Sequence, residues 1–169
     1  MRTSVRPVLR AFRLVVVAIL VSGAAWAQDA SSISVSSFTS DFSAMKLLTD
    51  LASKGTGKIG VLLPETTTSA RYTAFDAPFL KQAFQAAGVP DSDVILTNAQ
   101  GSEATQLTQA QAAITQGATV LLVDPISSGV GASIEKYAAD NGVAVIDYDR
   151  LTLGGSRAYY VSFDNVQVG

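Results

Sequence analysis

An acid beside a guanidinium, Asp149-Arg150, follows the run Val143-Ala144-Val145-Ile146-Asp147-Tyr148. A carboxylate accepts hydrogen bonds from hydroxyls, and a planar guanidinium donates two in parallel, so the pair suits a ligand rich in hydroxyl groups. Burying either charge alone would cost several kcal/mol. They must pair with each other, with neighbours, or with an arriving ligand. Similar residues follow other apolar runs. Glu65, then Arg71 and Tyr72, follows Ile59 to Leu63; Asp124 follows Thr119 to Val123; Asp164 and Asn165 follow Ala158 to Phe163. Acids, a guanidinium, an amide and a ring able to cover C–H groups suit a polyhydroxylated molecule.

Each of these residues also has a purely structural use. Asp149 and Arg150 can satisfy each other at a sheet edge, and Tyr72 can pack in the core. Glu65 can be a solvated loop carboxylate, Asp124 a helix cap, and Asp164 and Asn165 turn formers. Other chemistries are disfavoured outright. With no histidine and no cysteine, nucleophilic triads have no base and a zinc site lacks its usual donors. Gly55-Thr56-Gly57-Lys58 precedes a strand, where a phosphate loop would follow one, and no G-x-G-x-x-G follows the first strand. Pro125-Ile126-Ser127-Ser128-Gly129 resembles a nucleophile elbow without its base. The residues point to binding, not catalysis, with no cofactor and no metal.

The elements that must position these side chains alternate strand and helix. Asp41 to Ser53 carries Phe42, Met45, Leu48 and Leu51 at helical spacing, and Lys54-Gly55-Thr56-Gly57 ends it. Lys58 to Pro64 is the first strand. Phe75, Phe79, Ala83 and Phe84 mark the inward face of a helix; Pro78 places either its first turn or a kink there. Strands are predicted at 93–97, 119–123, 143–148 and 158–163, with helices between them capped by Ser102 and by Ser127 or Ser128. The stretch ending in Asp149-Arg150 is expected to be a central strand covered on both faces. The predicted fold is α/β, a doubly wound parallel sheet, and its candidate residues all sit at carboxyl ends of strands, where such sheets bind ligands.

Composition narrows the setting. Arg2, Arg6, Arg10 and Arg13 precede the apolar run Leu14 to Val21 and the small-x-small triplet Ala25-Trp26-Ala27. That is the pattern of a cleaved secretory signal over residues 1–27; the apolar run is short for a membrane anchor, the competing reading. Removing those four arginines leaves eight basic against 14 acidic residues, a net charge of −6, which argues against a nucleic-acid partner. Absence of cysteine excludes both disulfides and a lipid-modified cysteine. Residues 28–57 are expected to be a Ser-rich leader and a short helix, and 58–169 the α/β unit. The chain is expected to stop mid-protein at Gly169.

KIGVLLP…ARY, NAQGSEATQ, GATVLLVDP, GVAVIDYDR and YYVSFDN together resemble the sugar-binding proteins of bacterial ABC importers, type I periplasmic binding proteins of the xylose- and ribose-binding group. The resemblance covers residues 58–169. It implies the Rossmann-like N-terminal lobe of a two-lobe protein that closes about a hinge on a monosaccharide. The second lobe would be absent here and this lobe's sheet incomplete. It further implies that Arg71 and Tyr72 are first-loop ligand residues, Asp149 and Arg150 the sugar-hydroxyl pair, and Asp164 and Asn165 the crossing toward the second lobe. Tyr72 departs from the Trp or Phe usual at its position. The implied protein is a periplasmic monomer that delivers a pentose such as xylose to an ABC permease in the membrane and is not an enzyme. The alternatives are an exported sugar-sensing module feeding a chemoreceptor or sensor kinase, and a sugar-responsive regulator, against which the signal and the missing helix-turn-helix stand.

Overall fold

A computed structural model describes residues 33–168. The predicted secretory signal, and the start of the Ser-rich leader, lie outside the described residues. Among the described residues no helix is long and apolar enough to cross a membrane.

Five strands, β1 (Lys58–Leu63), β2 (Val94–Asn98), β3 (Ala118–Val123), β4 (Ala144–Tyr148) and β5 (Tyr159–Val161), form one parallel sheet in the order β2-β1-β3-β4-β5. β1 and β3, inside the sheet, are largely apolar runs because helices cover both faces there. Side chains alternate between two cores, as a strand's period of two requires. Leu62, Leu121, Val123 and Val145 point to one face and pack under α4 (Glu103–Thr115) and α5 (Ser128–Asp140). Val61 and Leu63 point to the other, under α3 (Ala77–Ala86), where Leu80 and Phe84 meet them. Gly60 allows α4 to approach closely: a Cβ there would come within 2.5 Å of Leu121 Cδ2 and 3.2 Å of the Ala113 methyl. Ser102 and Ser127 cap α4 and α5 by accepting from the amides of Thr105 and Val130.

Four expectations are corrected. β4 is not central but fourth of five, and its outer neighbour β5 is three exposed residues. Its burial alternates, so that Asp147, with Val145, is buried and Ala144 exposed. The stretch from Asp41 to Ser53 is not one helix. It forms α1 (Ser43–Lys46) and α2 (Thr49–Ala52), entered through Phe42 at φ 57°, with the Asp41 carboxylate accepting from the Ser43 amide. Phe75 and Phe79 do not face the core: they are 55% and 50% exposed, and Phe79 packs against Phe75 and Phe42. The inward face is Ala77, Leu80 and Phe84.

For Phe75 the cause is the π-helical turn Tyr72–Asp76 immediately before α3, of which it is part; Phe79 lies in regular α3, whose buried face is the neighbouring stripe. Pro78 has no N–H for the Ala74 carbonyl, and its ring would collide with that carbonyl in a regular α-helix. Widening the turn to i→i+5 bonding, with Ala77 N–H donating to the Tyr72 carbonyl, removes the conflict. Pro78 then falls in the first turn of α3, and the wider turn before it sets Phe75 out of α-helical phase with α3.

Candidate functional site

The strand order reverses between β1 and β3, so the connection after β1 leaves toward α3 and that after β3 toward α5, on opposite faces. At such a switch point the departing loops separate and leave a crevice beyond the carboxyl ends. The π turn delivers Arg71, Tyr72 and Asp76 to it from one side. β3 and β4 deliver Asp124, Tyr148, Asp149 and Arg150 from the other.

Arg71 is the junction. Its Nε lies 2.9 Å from Asp76 Oδ2 and its Nη1 donates to Asp149 Oδ2 at 2.9 Å. The π turn brings the fifth residue round to the same side, which is how Arg71 reaches Asp76 within one turn. Tyr148 Oη donates to Asp76 Oδ1 at 2.9 Å. Burial, reinforced by that bond to a carboxylate, pushes the Tyr148 phenol up to about 12.

Arg150 faces elsewhere, although it adjoins Asp149 in sequence. Asp149 sits at φ 65°, and the Arg150 amide closes a three-residue turn on the Tyr148 carbonyl at 2.8 Å. A positive φ in such a turn is rare outside glycine, although Asp adopts it more readily than most residues, and strain of this kind gathers at functional sites. Two bonds to β5 hold it: the Asp149 amide donates to the Val161 carbonyl at 2.9 Å, and Tyr160 Oη donates to the Asp149 carbonyl at 3.0 Å. The turn sends Asp149 toward Arg71 and Arg150 toward β3. Arg150 Nη2 donates to Tyr72 Oη at 3.0 Å, Nη1 reaches the Pro125 carbonyl at 3.4 Å, and Nε lies 3.5 Å from Asp124 Oδ1.

Tyr72 serves both structural and site roles. It is 3% exposed and belongs to the core cluster of Val61 and Leu63, while the Arg71 and Arg150 guanidiniums lie 5.4 and 5.8 Å from its ring centre. Cation–π attraction at these distances is worth about 0.5–2 kcal/mol. Burial raises the Tyr72 phenol above its ordinary pKa, and the Asp124 charge adds to it.

Arg71, Tyr72, Asp149 and Arg150 therefore form one cluster, and the mutual Asp149–Arg150 pair is replaced by Arg71–Asp149 and Arg150–Asp124. Glu65 stays out of it. Its carboxylate accepts from the Thr67 and Thr68 amides and both threonine hydroxyls, and the Thr68 hydroxyl first of all lowers its pKa. It shapes the loop after β1 and is buried, so it is not a solvated carboxylate. Asp164 is exposed and accepts from the Val166 and Gln167 amides at the start of α6 (Asn165–Val168), of which Asn165 is the first residue. Among the described residues no hydrogen bond or ion pair joins Asp164 to the crevice. Asp124 caps nothing; Ser127 does that.

Sequence reading missed several residues. Asp76 and Tyr148 complete the Arg71 network, and only Pro78, as the cause of a widened turn, hinted at the first. Asp147, fully buried, accepts from the Thr152 amide at 2.7 Å and lies 3.6 Å from Arg157 Nε, while Arg157 Nη1 donates to the Thr152 carbonyl at 2.8 Å. This pins the loop that carries Arg150 from its far side. A charge inside an otherwise apolar strand was the available signal.

A doubly wound lobe whose charged residues converge at its switch point belongs to the class that binds small molecules outside its strand ends. The chain belongs to the periplasmic binding protein domain family, whose model matches residues 59–169. It is 36% identical over 76 residues to the D-xylose-binding periplasmic protein of Escherichia coli K12, covering 45% of this chain and 23% of that protein. It is 35% identical over 112 residues to a multiple sugar-binding periplasmic protein of Azospirillum brasilense, covering 66% of this chain and 30% of the relative. A carbohydrate transporter solute binding protein from Chloroflexus aurantiacus, solved in complex with D-glucose, superposes with a TM-score of 0.59 at 32% identity, over 65% of this chain and 31% of that one. The chain thus spans between about a quarter and a third of the length of these relatives.

Proposed function

We propose that this chain is the first, N-terminal lobe of an exported sugar-binding protein serving an ABC importer, and that its crevice supplies half of a monosaccharide site. The observation that carries the reading is the meeting of Arg71 and Tyr72 with Asp149 and Arg150 at the switch point of a periplasmic binding protein lobe. Arg150 keeps N–H groups beyond its protein contacts, and Asp149 keeps acceptor capacity beyond Arg71, so both can bind ring hydroxyls. Tyr72 underpins the two guanidiniums. Residues 58–169 act as the lobe, residues 1–27 as the export signal, and Asp164 and Asn165 lead toward a second lobe. The sugar contacts both lobes only when they close, so its differential affinity shifts the population to the closed form that the permease engages. No nucleic acid takes part, and the protein works as a periplasmic monomer. A relative named for D-xylose supports the sugar class and makes a pentose the first ligand to try.

Titration calorimetry of the complete gene product against D-xylose, D-ribose and D-glucose tests this. Saturable binding to at least one of them is expected, together with weak or no binding by the 169-residue chain alone. Micromolar binding by that chain alone would contradict a site shared between lobes.

A further inference from the structure

We infer that Asp124 is the positioning residue for Arg150: its carboxylate, buried behind the guanidinium, seats the fork so that its remaining N–H groups face the crevice. The binding half of this inference rests on the monosaccharide reading above; the seat itself does not.

The Asp124 side chain has no structural partner to explain it. It is 1% exposed, and no donor reaches hydrogen-bond geometry with either of its oxygens. The loop after β3 is held without it. Gln106 Nε2 donates to the Asp124 backbone carbonyl at 2.8 Å, Gln106 Oε1 accepts from the Ile126 amide at 3.0 Å, and Ser127 caps α5. A buried carboxylate without donors is costly, and the loop would be served equally well by an uncharged side chain. What the charge does face is Arg150 Nε, at 3.5 Å.

Nη2 donates to Tyr72 and Nη1 to the Pro125 carbonyl, and the Asp124 carboxylate lies 3.5 Å from Nε as an ionic contact, so the guanidinium plane is held at three points. Of its five N–H groups, two remain, and their directions are set by the other three. Removing Asp124 leaves two uncharged anchors, a phenol and a carbonyl, and takes away the ionic contact at Nε.

The charges around the crevice agree with a proton-dependent seat. Asp124 faces Arg150 and Asp149 from β4 and its following turn, and Arg71, Asp76 and Tyr72 from the π turn. Two guanidiniums oppose three carboxylates, so one proton balances the set, and Asp124 is the carboxylate most removed from water. Burial, only partly offset by Arg150, raises it to about 7. Protonation removes the attraction at Nε, so the seat is strongest above neutral pH.

The test follows the Arg150 Nε–H resonance by NMR in the complete protein across pH, in the wild type and in Asp124→Asn, and measures monosaccharide affinity over the same range. The expected result is a wild-type resonance that titrates near pH 7 and is flat in the variant. Sugar affinity should rise several-fold from the acid to the alkaline side in the wild type alone, the order expected of a single ion pair that water partly screens. An Arg150 resonance indifferent to Asp124, or the same pH profile of affinity in both proteins, overturns the inference. If no monosaccharide binds the wild type at any pH, the sugar reading fails, and the Nε–H titration alone decides the seat.

Discussion

Arg71 Nη1 and Asp149 Oδ2 meet at 2.9 Å across 78 positions of sequence, and this bond ties the loop after β1 to the turn after β4. Arg71 side-chain exposure is 34% and that of Asp149 is 12%, so the pair is neither a free surface bridge nor a fully buried one. Arg71 also holds Asp76, so one cation is shared by two acids.

Substituting Arg71→Met is therefore expected to destabilise the fold by about 1–2 kcal/mol, below the cost of breaking a fully buried pair because water reaches the guanidinium. Urea unfolding measures it. A double-mutant cycle with Asp149→Asn should return a coupling near 1 kcal/mol; zero coupling would mean that the two loops are held by other contacts.

Tyr72 separates packing from polarity. Tyr72→Phe keeps the ring against Val61 and Leu63 and removes only the acceptor for Arg150 Nη2. Stability should change by less than about 1 kcal/mol while sugar affinity falls several-fold. Tyr72→Ala empties a core position and should cost about 3–5 kcal/mol. If Tyr72→Phe left affinity unchanged in calorimetry, the phenol would be irrelevant to the site.

Arg150→Ala removes ligand donors and leaves Asp124 facing no cation at Nε distance. Affinity for the sugar in the complete protein is expected to drop by about 2–4 kcal/mol. Wild-type affinity in this variant would assign Arg150 to structure alone.

The raised pKa of Asp124 has a signed consequence for stability. Its folded value of about 7 exceeds the ordinary 3.8, so the folded state holds this proton more tightly than the unfolded chain. The resulting stabilisation is complete below the unfolded value and is lost as pH rises through about 7. Between these limits the difference amounts to a few kcal/mol, on the order given by linkage. Asp124→Asn should gain on the wild type in melting temperature as pH rises through this range. A melting-temperature difference between the two that does not vary with pH would show that Asp124 is ionised throughout.

Much of the fold follows from local pattern. The apolar runs at β1, β3 and β4, the caps at Ser102 and Ser127, and the alternation of strand with helix are properties of neighbouring residues, and they suffice to specify a doubly wound sheet and the loops at its carboxyl end. The KIGVLLP and GVAVIDYDR segments carried the family as well. Partner choice was not local. Asp149 and Arg150 adjoin in sequence, yet a positive-φ turn points them apart, toward an arginine 78 residues away and a carboxylate at the end of β3. The outward turn of Phe75 needed the π turn, because periodicity assumes a regular helix. Hydrophobic spacing encodes which face of an element is buried. Which charge meets which depends on strand order and turn geometry, and those exist only once the sheet has assembled.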